Sequence, residues 1–225
     1  MLSNSTNLGP LLGFNNKLTN EFREFGTIIE YKRDTTIFDS DETLKWFYII
    51  VSGKIKVYEI NFETNREQTL YLLVKGDMYD LVTLLDGMEH NLAVDVLEEG
   101  KVIRFPIDKV REWMKLSVEF EQLIYRFVAM QMRNIENLAI DLSLHDTKER
   151  LLKLLLKNIN TIESRGVDLL DKLSHTEIAN LIGTVRHIID RHLKSLKEDG
   201  IIDAKHRKIE LINAQKALDL LTSYS

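Results

Sequence analysis

Residues 173–202 read LSHTEIANLIGTVRHIIDRHLKSLKEDGII, and no other segment of the chain has so clear a pattern. Ser174 and Glu177 have the spacing of a capping box, which starts a short helix that Gly183 ends. A second helix is predicted over residues 185–197, with apolar side chains at i, i+4 and i+7 on one face. Two helices joined by a turn that contains glycine predict a helix-turn-helix.

Two short strand-like segments follow the second helix. They are Ile201–Ala204 and Lys208–Ile212, and they flank His206 and Arg207. Two short segments that can pair across an intervening turn are typical of a small hairpin. The sequence therefore predicts a wing beside the motif, and a winged helix-turn-helix domain over residues 145–225.

The outward face of the second helix predicts contact with DNA. The first turn of a recognition helix meets base edges, where Arg can bond guanine at O6 and N7 and Ile can touch a thymine methyl. Helix N-termini, hydroxyls and the cations of a wing can take phosphates. The predicted DNA-binding residues are Ser174, His175, Thr184, Arg186, His187, Ile188, Arg191, His206, Arg207 and Lys208.

The first half of the chain has a different pattern. Between Tyr31 and Phe105, short runs rich in Ile, Val, Tyr and Phe are broken by turn residues every 8–12 positions. This predicts an antiparallel β-barrel or jelly roll over residues 1–107, preceded by a short helix at Asn16–Phe25. The predicted fold class is α+β, with the barrel first, a long helix next and the winged motif last.

The long helix is predicted over residues 108–144, where no glycine or proline follows Pro106. One apolar row repeats at spacings of 4, 3, 4, 3 and 4, a heptad pattern typical of paired helices. It predicts a homodimer seam, with burial in the chain's own core as the alternative. The seam residues are Ile124, Val128, Gln131, Ile135, Leu138 and Leu142. A further helix is predicted from Asp146 to Ile159, with Arg150 four residues after Asp146 for an ion pair.

Composition excludes several classes of protein. The 225 residues include no cysteine, so there is no disulfide, cysteine-bound cluster or thiol nucleophile. With 44% hydrophobic and 29% charged residues, a globular chain in the cytoplasm is expected, with no membrane span and no signal peptide. The net charge of -5 hides an asymmetry, because residues 145–225 hold 14 Lys and Arg against 12 Asp and Glu. This charge balance suits two domains with different partners.

In its order of domains the chain resembles the Crp/Fnr family of bacterial transcription regulators. The resemblance rests on IIVSGKIKV at 49–57, Gly-Asp at 76–77, LLDG at 84–87 and the spaced pattern of 173–202. It implies a homodimer on a two-fold symmetric operator, contact with RNA polymerase, and an effector pocket between barrel and long helix. The pocket residues it implies are Tyr79, Leu81, His90, Asn91, Ile135 and Glu136.

The chain departs from relatives that bind cyclic nucleotides. Leu81 replaces the acidic residue for the ribose, and His90 and Asn91 replace the Arg and Ser for the cyclic phosphate. Ile135 and Glu136 replace the hydroxyls for the base. Two lost charge-assisted contacts weaken binding by about 10²–10⁴. The sequence therefore predicts that physiological cyclic AMP or cyclic GMP does not bind.

The recognition helix also departs from the family, because Arg186-His187-Ile188 stands where many relatives have Arg-Glu-Thr. The change removes a carboxylate acceptor for cytosine N4. Val185 replaces a Ser or Thr N-cap, and Thr184 is expected to serve instead.

Other functions stay open at this point. The barrel could take a non-nucleotide effector, or haem through His90, or no effector at all. A metal-dependent, cupin-like enzyme and a protein-binding helix-turn-helix are the rival classes. No catalytic residue, metal ligand set or cofactor motif is found in the sequence, so no enzyme and no cofactor are predicted.

Overall fold

The structure is a computed structural model that describes residues 16–35, 37–38, 40–205 and 208–223. The chain divides into two compact units. The sheet unit comprises the described residues up to Tyr58, followed by Tyr71–Asn134. The helix-turn-helix unit comprises Glu59–Leu70 and the described residues from Ile135 onward.

Among the described residues, five strands form one sheet in the order β1-β5-β2-β3, with β4 paired to β2, and most of this sheet lies in the sheet unit. The ladders β1–β5, β2–β5 and β2–β4 are antiparallel. Its early elements are α1 (Asn16–Phe25), β1 (Thr27–Tyr31), α2 (Ser40–Thr43), β2 (Trp46–Asn61), β3 (Arg66–Leu73), β4 (Met78–Tyr79), α3 (Leu81–Asp86) and β5 (Ala93–Pro106). The α+β class and the helix at Asn16–Phe25 are confirmed. The predicted N-terminal β-barrel or jelly roll is confirmed as a jelly-roll-like sheet, which the described strands do not close into a full barrel.

Aromatic side chains hold the first helix against the sheet. Phe22 is fully buried and meets Trp113 edge to face, with ring centroids 4.8 Å apart. Phe105 and Phe120 surround the same indole at 5.5 Å and 6.1 Å. The Trp113 Nε1–H donates to Glu21 Oε2 at 2.6 Å, so the buried indole keeps a hydrogen bond.

The predicted helix 108–144 is two helices, α4 (Ile107–Leu116) and α5 (Val118–Leu144). Ser117 lies between them with extended backbone, at φ -134° and ψ 110°. Its Oγ accepts from the Phe120 N–H at 3.2 Å, as an N-cap does. The prediction failed because most residues near Ser117 are good helix formers and neither glycine nor proline marks the break.

Along α5 the surface left open differs from the predicted seam. Ile124 is fully buried in the chain's own core, and Gln131 Nε2 donates to the Met78 carbonyl at 3.4 Å. Ile124 was predicted to contact a partner chain, but its burial leaves it unavailable for that contact. An apolar row at spacings of 3, 4, 3, 4 and 3 is at least partly open instead: Tyr125, Val128, Met132, Ile135, Ala139 and Leu142.

The helix-turn-helix unit continues with α6 (Thr147–Arg165), α7 (His175–Leu181), α8 (Arg186–Glu198), β6 (Ile202–Lys205), β7 (Lys208–Leu211) and α9 (Ala214–Ser223). Asp146 is the N-cap of α6, as predicted, and forms a capping box with Glu149. The helix runs past Ile159 and ends at Gly166, whose φ is +65°. Within the described ranges, no helix is both long and apolar enough to cross a bilayer.

Candidate nucleic-acid interface

The first helix of the motif begins where its sequence predicts. Ser174 Oγ accepts from the Glu177 N–H at 3.2 Å, and the Glu177 carboxylate accepts from the Ser174 N–H in return. This reciprocal pair confirms the capping box and satisfies two N–H groups that a helix start leaves open. Ile178 and Ala179 are buried, which fixes α7 against the unit's core.

The turn between α7 and α8 is crowded. Gly183 has φ +66°, and a Cβ built there would lie 2.8 Å from Gln68 Oε1 and also meet a Leu142 methyl. Gln68 Nε2 donates to the Asn180 carbonyl at 3.1 Å. A larger residue here would be strained by the backbone angle, and it would also have to displace the ends of the Leu142 and Gln68 side chains.

Arg150 closes the same turn, which corrects its predicted partner. Its Nη1 donates to the Ile182 carbonyl at 2.6 Å, and its Nε contacts the Asp146 backbone carbonyl at 3.4 Å. The Asp146 carboxylate instead accepts from the N–H groups of Lys148 and Glu149. Capping competes for the carboxylate, so the side-chain ion pair expected from the i,i+4 spacing does not form.

Helix α8 turns its predicted apolar stripe inward and its cations outward. Ile189, Leu193 and Leu196 are buried, as predicted. The side chain of Arg186 is 71% exposed, and the outward face carries Arg186, His187, Asp190, Arg191 and Lys194. Ile188 is half-buried and lies between the two faces. The structure therefore brings Arg186, His187 and Arg191 onto one open helical surface.

His192, the remaining histidine of α8, is turned away from that surface. Its Nε2 lies 2.7 Å from Thr147 Oγ1, at the start of α6. Burial lowers the pKa of His192, and the nearby Arg191 lowers it further. A neutral ring can serve this hydrogen bond without bringing an uncompensated charge into the interior.

A carboxylate that the sequence analysis did not assign to the interface stands on the outward face. The Asp190 carboxylate hydrogen-bonds His175 Nδ1 through Oδ1, and its Oδ2 lies 3.7 Å from Arg186 Nε. The i,i+4 spacing of Arg186 and Asp190 was a visible signal for the second contact. The contact with His175 joins α7 to α8 through two residues that are 15 positions apart in the sequence, which no local pattern shows.

The first turn of α8 has an open N-terminus. Val185 is its N-cap and provides no side-chain hydrogen bond, and Thr184 does not take the capping role predicted for it. The Thr184 N–H donates instead to the Ala179 carbonyl at 2.9 Å. The start of an uncapped helix offers N–H groups and a partial positive charge, which suit a phosphate.

The wing is confirmed as an antiparallel pair, with Ile202 opposite Leu211 and Lys205 opposite Lys208. Lys208 is exposed and pairs with Glu210. The other two predicted wing residues, His206 and Arg207, lie outside the described residues.

The residues expected to line an effector pocket are placed as follows. Tyr79 and Leu81 are buried in the sheet unit, and Asn91 is exposed. Ile135 is half-buried and Glu136 is exposed, and both lie in the helix-turn-helix unit.

His90 belongs to a hydrogen-bonded group in the sheet unit. Its Nδ1 lies 3.0 Å from Asp80 Oδ1, and Thr83 Oγ1 donates to Asp80 Oδ2 at 2.6 Å. The hydrogen bond to Asp80 raises the pKa of His90, although partial burial opposes the shift. Among the described residues, no group of three or more His, Asp or Glu side chains could hold a metal ion.

Two family models match the chain over these regions. The model for the cyclic nucleotide-binding domain matches residues 28–117, and that for the Crp-like helix-turn-helix domain matches residues 149–218. The chain belongs to the Crp/Fnr family. Both family domains thus coincide with the sheet and with the motif described above.

Relatives of this Crp/Fnr protein cover most of its length. The global nitrogen regulator of Nostoc sp. is 27% identical over 206 residues, which are 85% of this chain and 91% of that protein. The CRP-like cAMP-activated global transcriptional regulator of Mycobacterium tuberculosis is 24% identical, covering 84% of this chain and 85% of that protein. The structure of FixK2 from Bradyrhizobium japonicum shares the fold, with a TM-score of 0.76 and 22% identity. The match covers 87% of this chain and 96% of the FixK2 chain.

Proposed function

We propose that this Crp/Fnr protein regulates transcription by binding a two-fold symmetric DNA operator as a homodimer. The observation that carries the proposal is the surface of α8, where Arg186, His187 and Arg191 are exposed on a helix fixed by its buried stripe. A rigid helix with cations in its first two turns can enter the major groove and contact bases there.

Phosphate contacts are available beside the base-reading surface. The open N-terminus of α8 offers N–H groups, and the exposed Lys208 adds a cation on the wing. Phosphate contacts position the protein on the duplex, while base contacts select the sequence. This division assigns Arg186 and Arg191 to reading and the wing to positioning.

A second copy of the chain would pair through α5. The open row of Tyr125, Val128, Met132, Ile135, Ala139 and Leu142 keeps a heptad spacing. Met132 is 60% exposed in a single chain, which favours a partner helix over solvent. A dimer places two recognition helices about 34 Å apart, one turn of DNA.

The dimer proposal is tested with Met132→Asp, which places a charge in the middle of the open row. We expect sedimentation equilibrium to show monomers for the variant and dimers for the unaltered chain. Lys115→Asp, at an exposed position of α4, is the control and leaves the dimer intact. A variant that stays dimeric at micromolar concentration would place the interface elsewhere.

The effector is proposed not to be a cyclic nucleotide. Leu81 is buried in the apolar core, where it offers no polar contact, and His90 already bonds the buried Asp80 carboxylate. An incoming cyclic phosphate would meet that carboxylate with little compensating charge. In titration calorimetry we expect no heat of binding from cyclic AMP or cyclic GMP up to millimolar concentration, and a micromolar dissociation constant would refute this.

The family resemblance extends the proposal to one further partner and to a cellular location. We propose that the bound dimer contacts RNA polymerase, and that it does so in the cytoplasm. The alternative is a DNA-binding regulator that needs no effector and is controlled by the abundance of the protein itself.

The central experiment is selection from random duplexes by the purified full chain. We expect a symmetric consensus, and affinity for random duplex that falls steeply as salt rises, because phosphate contacts release counterions. A protein-binding helix-turn-helix would give neither a consensus nor a salt response.

A further inference from the structure

A carboxylate on a DNA-facing surface has a cost. Asp190 is 47% exposed on the same side of α8 as Arg186 and Arg191. A negative charge there repels phosphates, so it weakens binding to DNA of any sequence. The contacts of Asp190 with His175 and Arg186 indicate a compensating role.

Each oxygen of the Asp190 carboxylate contacts a different side chain. Oδ1 hydrogen-bonds His175, the first residue of α7, while Oδ2 forms an ion pair with Arg186, the first residue of α8. The carboxylate therefore ties the starts of both helices together. His175 fixes the position of Asp190, and Asp190 in turn restrains Arg186.

The ion pair uses one particular edge of the guanidinium group. Asp190 faces Arg186 Nε at 3.7 Å, which leaves the N–H groups of Nη1 and Nη2 available as a parallel pair. Such a pair matches the O6 and N7 acceptors of guanine. Without the carboxylate, a side chain that is 71% exposed would sample many rotamers and could equally bind a phosphate.

We propose that Asp190 is a specificity-determining residue, which holds Arg186 in the orientation that reads guanine and discourages its binding to phosphate. The inference rests on the proposed DNA-binding function and adds a positioning residue to it. The carboxylate acts through Arg186, with His175 as its anchor.

The test compares Asp190→Ala with Glu198→Ala in the full chain. Glu198 pairs with Lys194 on the same helix at 3.9 Å and is 67% exposed, so its removal changes the net charge equally. Each variant is titrated with the selected operator, with the operator altered at the guanine read by Arg186, and with random duplex. That guanine is located beforehand as the base whose preference Arg186→Ala abolishes.

We expect Asp190→Ala to reduce the preference for that guanine about 5- to 30-fold, while affinity for random duplex stays equal or rises. Glu198→Ala keeps the full preference. Asp190→Asn retains an oxygen acceptor without the charge and gives an intermediate loss, and His175→Ala gives a smaller loss at the same base. Thermal midpoints within experimental error of the unaltered chain show that the effects do not come from unfolding.

Two results would overturn the inference, and they are distinguishable. If Arg186→Ala abolishes the guanine preference and Asp190→Ala preserves it, Asp190 has no positioning role although the proposed function stands. If the unaltered chain selects no consensus at all, the proposed function and this inference fail together.

Discussion

Two hydrogen-bonded Asp–His pairs among the described residues have opposite surroundings. In the sheet unit, the Asp80 side chain is 3% exposed and bonds His90 and Thr83. In the helix-turn-helix unit, Asp190 is 47% exposed and contacts His175 and Arg186. The same pair of residue types can thus stabilise a fold or prepare a binding surface, and burial decides which.

The energetic difference follows from solvent. Asp80 accepts from the Thr83 N–H at 3.3 Å and from the Thr83 hydroxyl at 2.6 Å, and both donors are buried. Water cannot replace an acceptor there, so its loss leaves the Thr83 N–H unsatisfied, whereas the hydroxyl can still donate to the Met88 carbonyl at 3.0 Å. Around Asp190 water and DNA can both reach the partners, and an exposed pair contributes little to stability.

The largest expected effect tests this contrast directly. Asp80→Ala removes the N-cap of α3, the acceptor of the buried Thr83 N–H and the partner of His90, so we expect the free energy of unfolding to fall by about 2–4 kcal/mol. Asp190→Ala should change it by less than about 0.5 kcal/mol. Urea unfolding measures both, and equal losses would show that burial does not separate the two pairs.

A smaller effect is expected at the neighbour of Asp190. Arg186→Ala should weaken binding to the selected operator by about 1–3 kcal/mol, because a bidentate base contact is lost, and leave the unfolding midpoint unchanged. Lys194→Ala, an exposed cation later on α8, is the matched control and should alter affinity for all duplexes alike. Wild-type affinity in the Arg186 variant would show that α8 enters the groove in another orientation.

The smallest expected effect is the pH dependence of the buried pair. Asp80 raises the pKa of His90 above its ordinary value of 6.5, so the folded state favours the protonated ring. The resulting stability is fully present below about pH 6.5 and is lost as pH rises through the raised pKa. We expect the free energy of unfolding of the unaltered chain to exceed that of His90→Gln by on the order of 1 kcal/mol at about pH 6, and by less at about pH 8.5. A difference independent of pH in thermal melts would contradict the assignment.

Local signals predicted the motif well. The capping box of Ser174 and Glu177 and the stripe of Ile189, Leu193 and Leu196 depend on residues within a few turns, and the structure confirms both. The wing followed in the same way from two short segments that lie close together in the sequence. Such elements need no knowledge of distant parts of the chain.

Signals that depend on distant neighbours were missed. The heptad row could not show that Ile124 is covered by the chain's own core while Tyr125, one position on, is 49% exposed. Turn spacing predicted the strands of an antiparallel sandwich or barrel, but the strand order depends on pairings far apart in sequence, which spacing does not show. The contact between His175 and Asp190 was invisible for the same reason, because it arises only when α7 and α8 pack.

The crowded turn at Gly183 differs sharply from the helix end at Gly200. Both have φ +66°, but a Cβ at Gly200 would meet nothing within 4 Å, whereas one at Gly183 would collide with Leu142 and Gln68. Asparagine could replace Gly200 with a modest loss of stability, because the positive φ is the only obstacle there. A screen of random codons at both positions for repression or activation of a promoter should therefore return fewer amino acids at 183 than at 200.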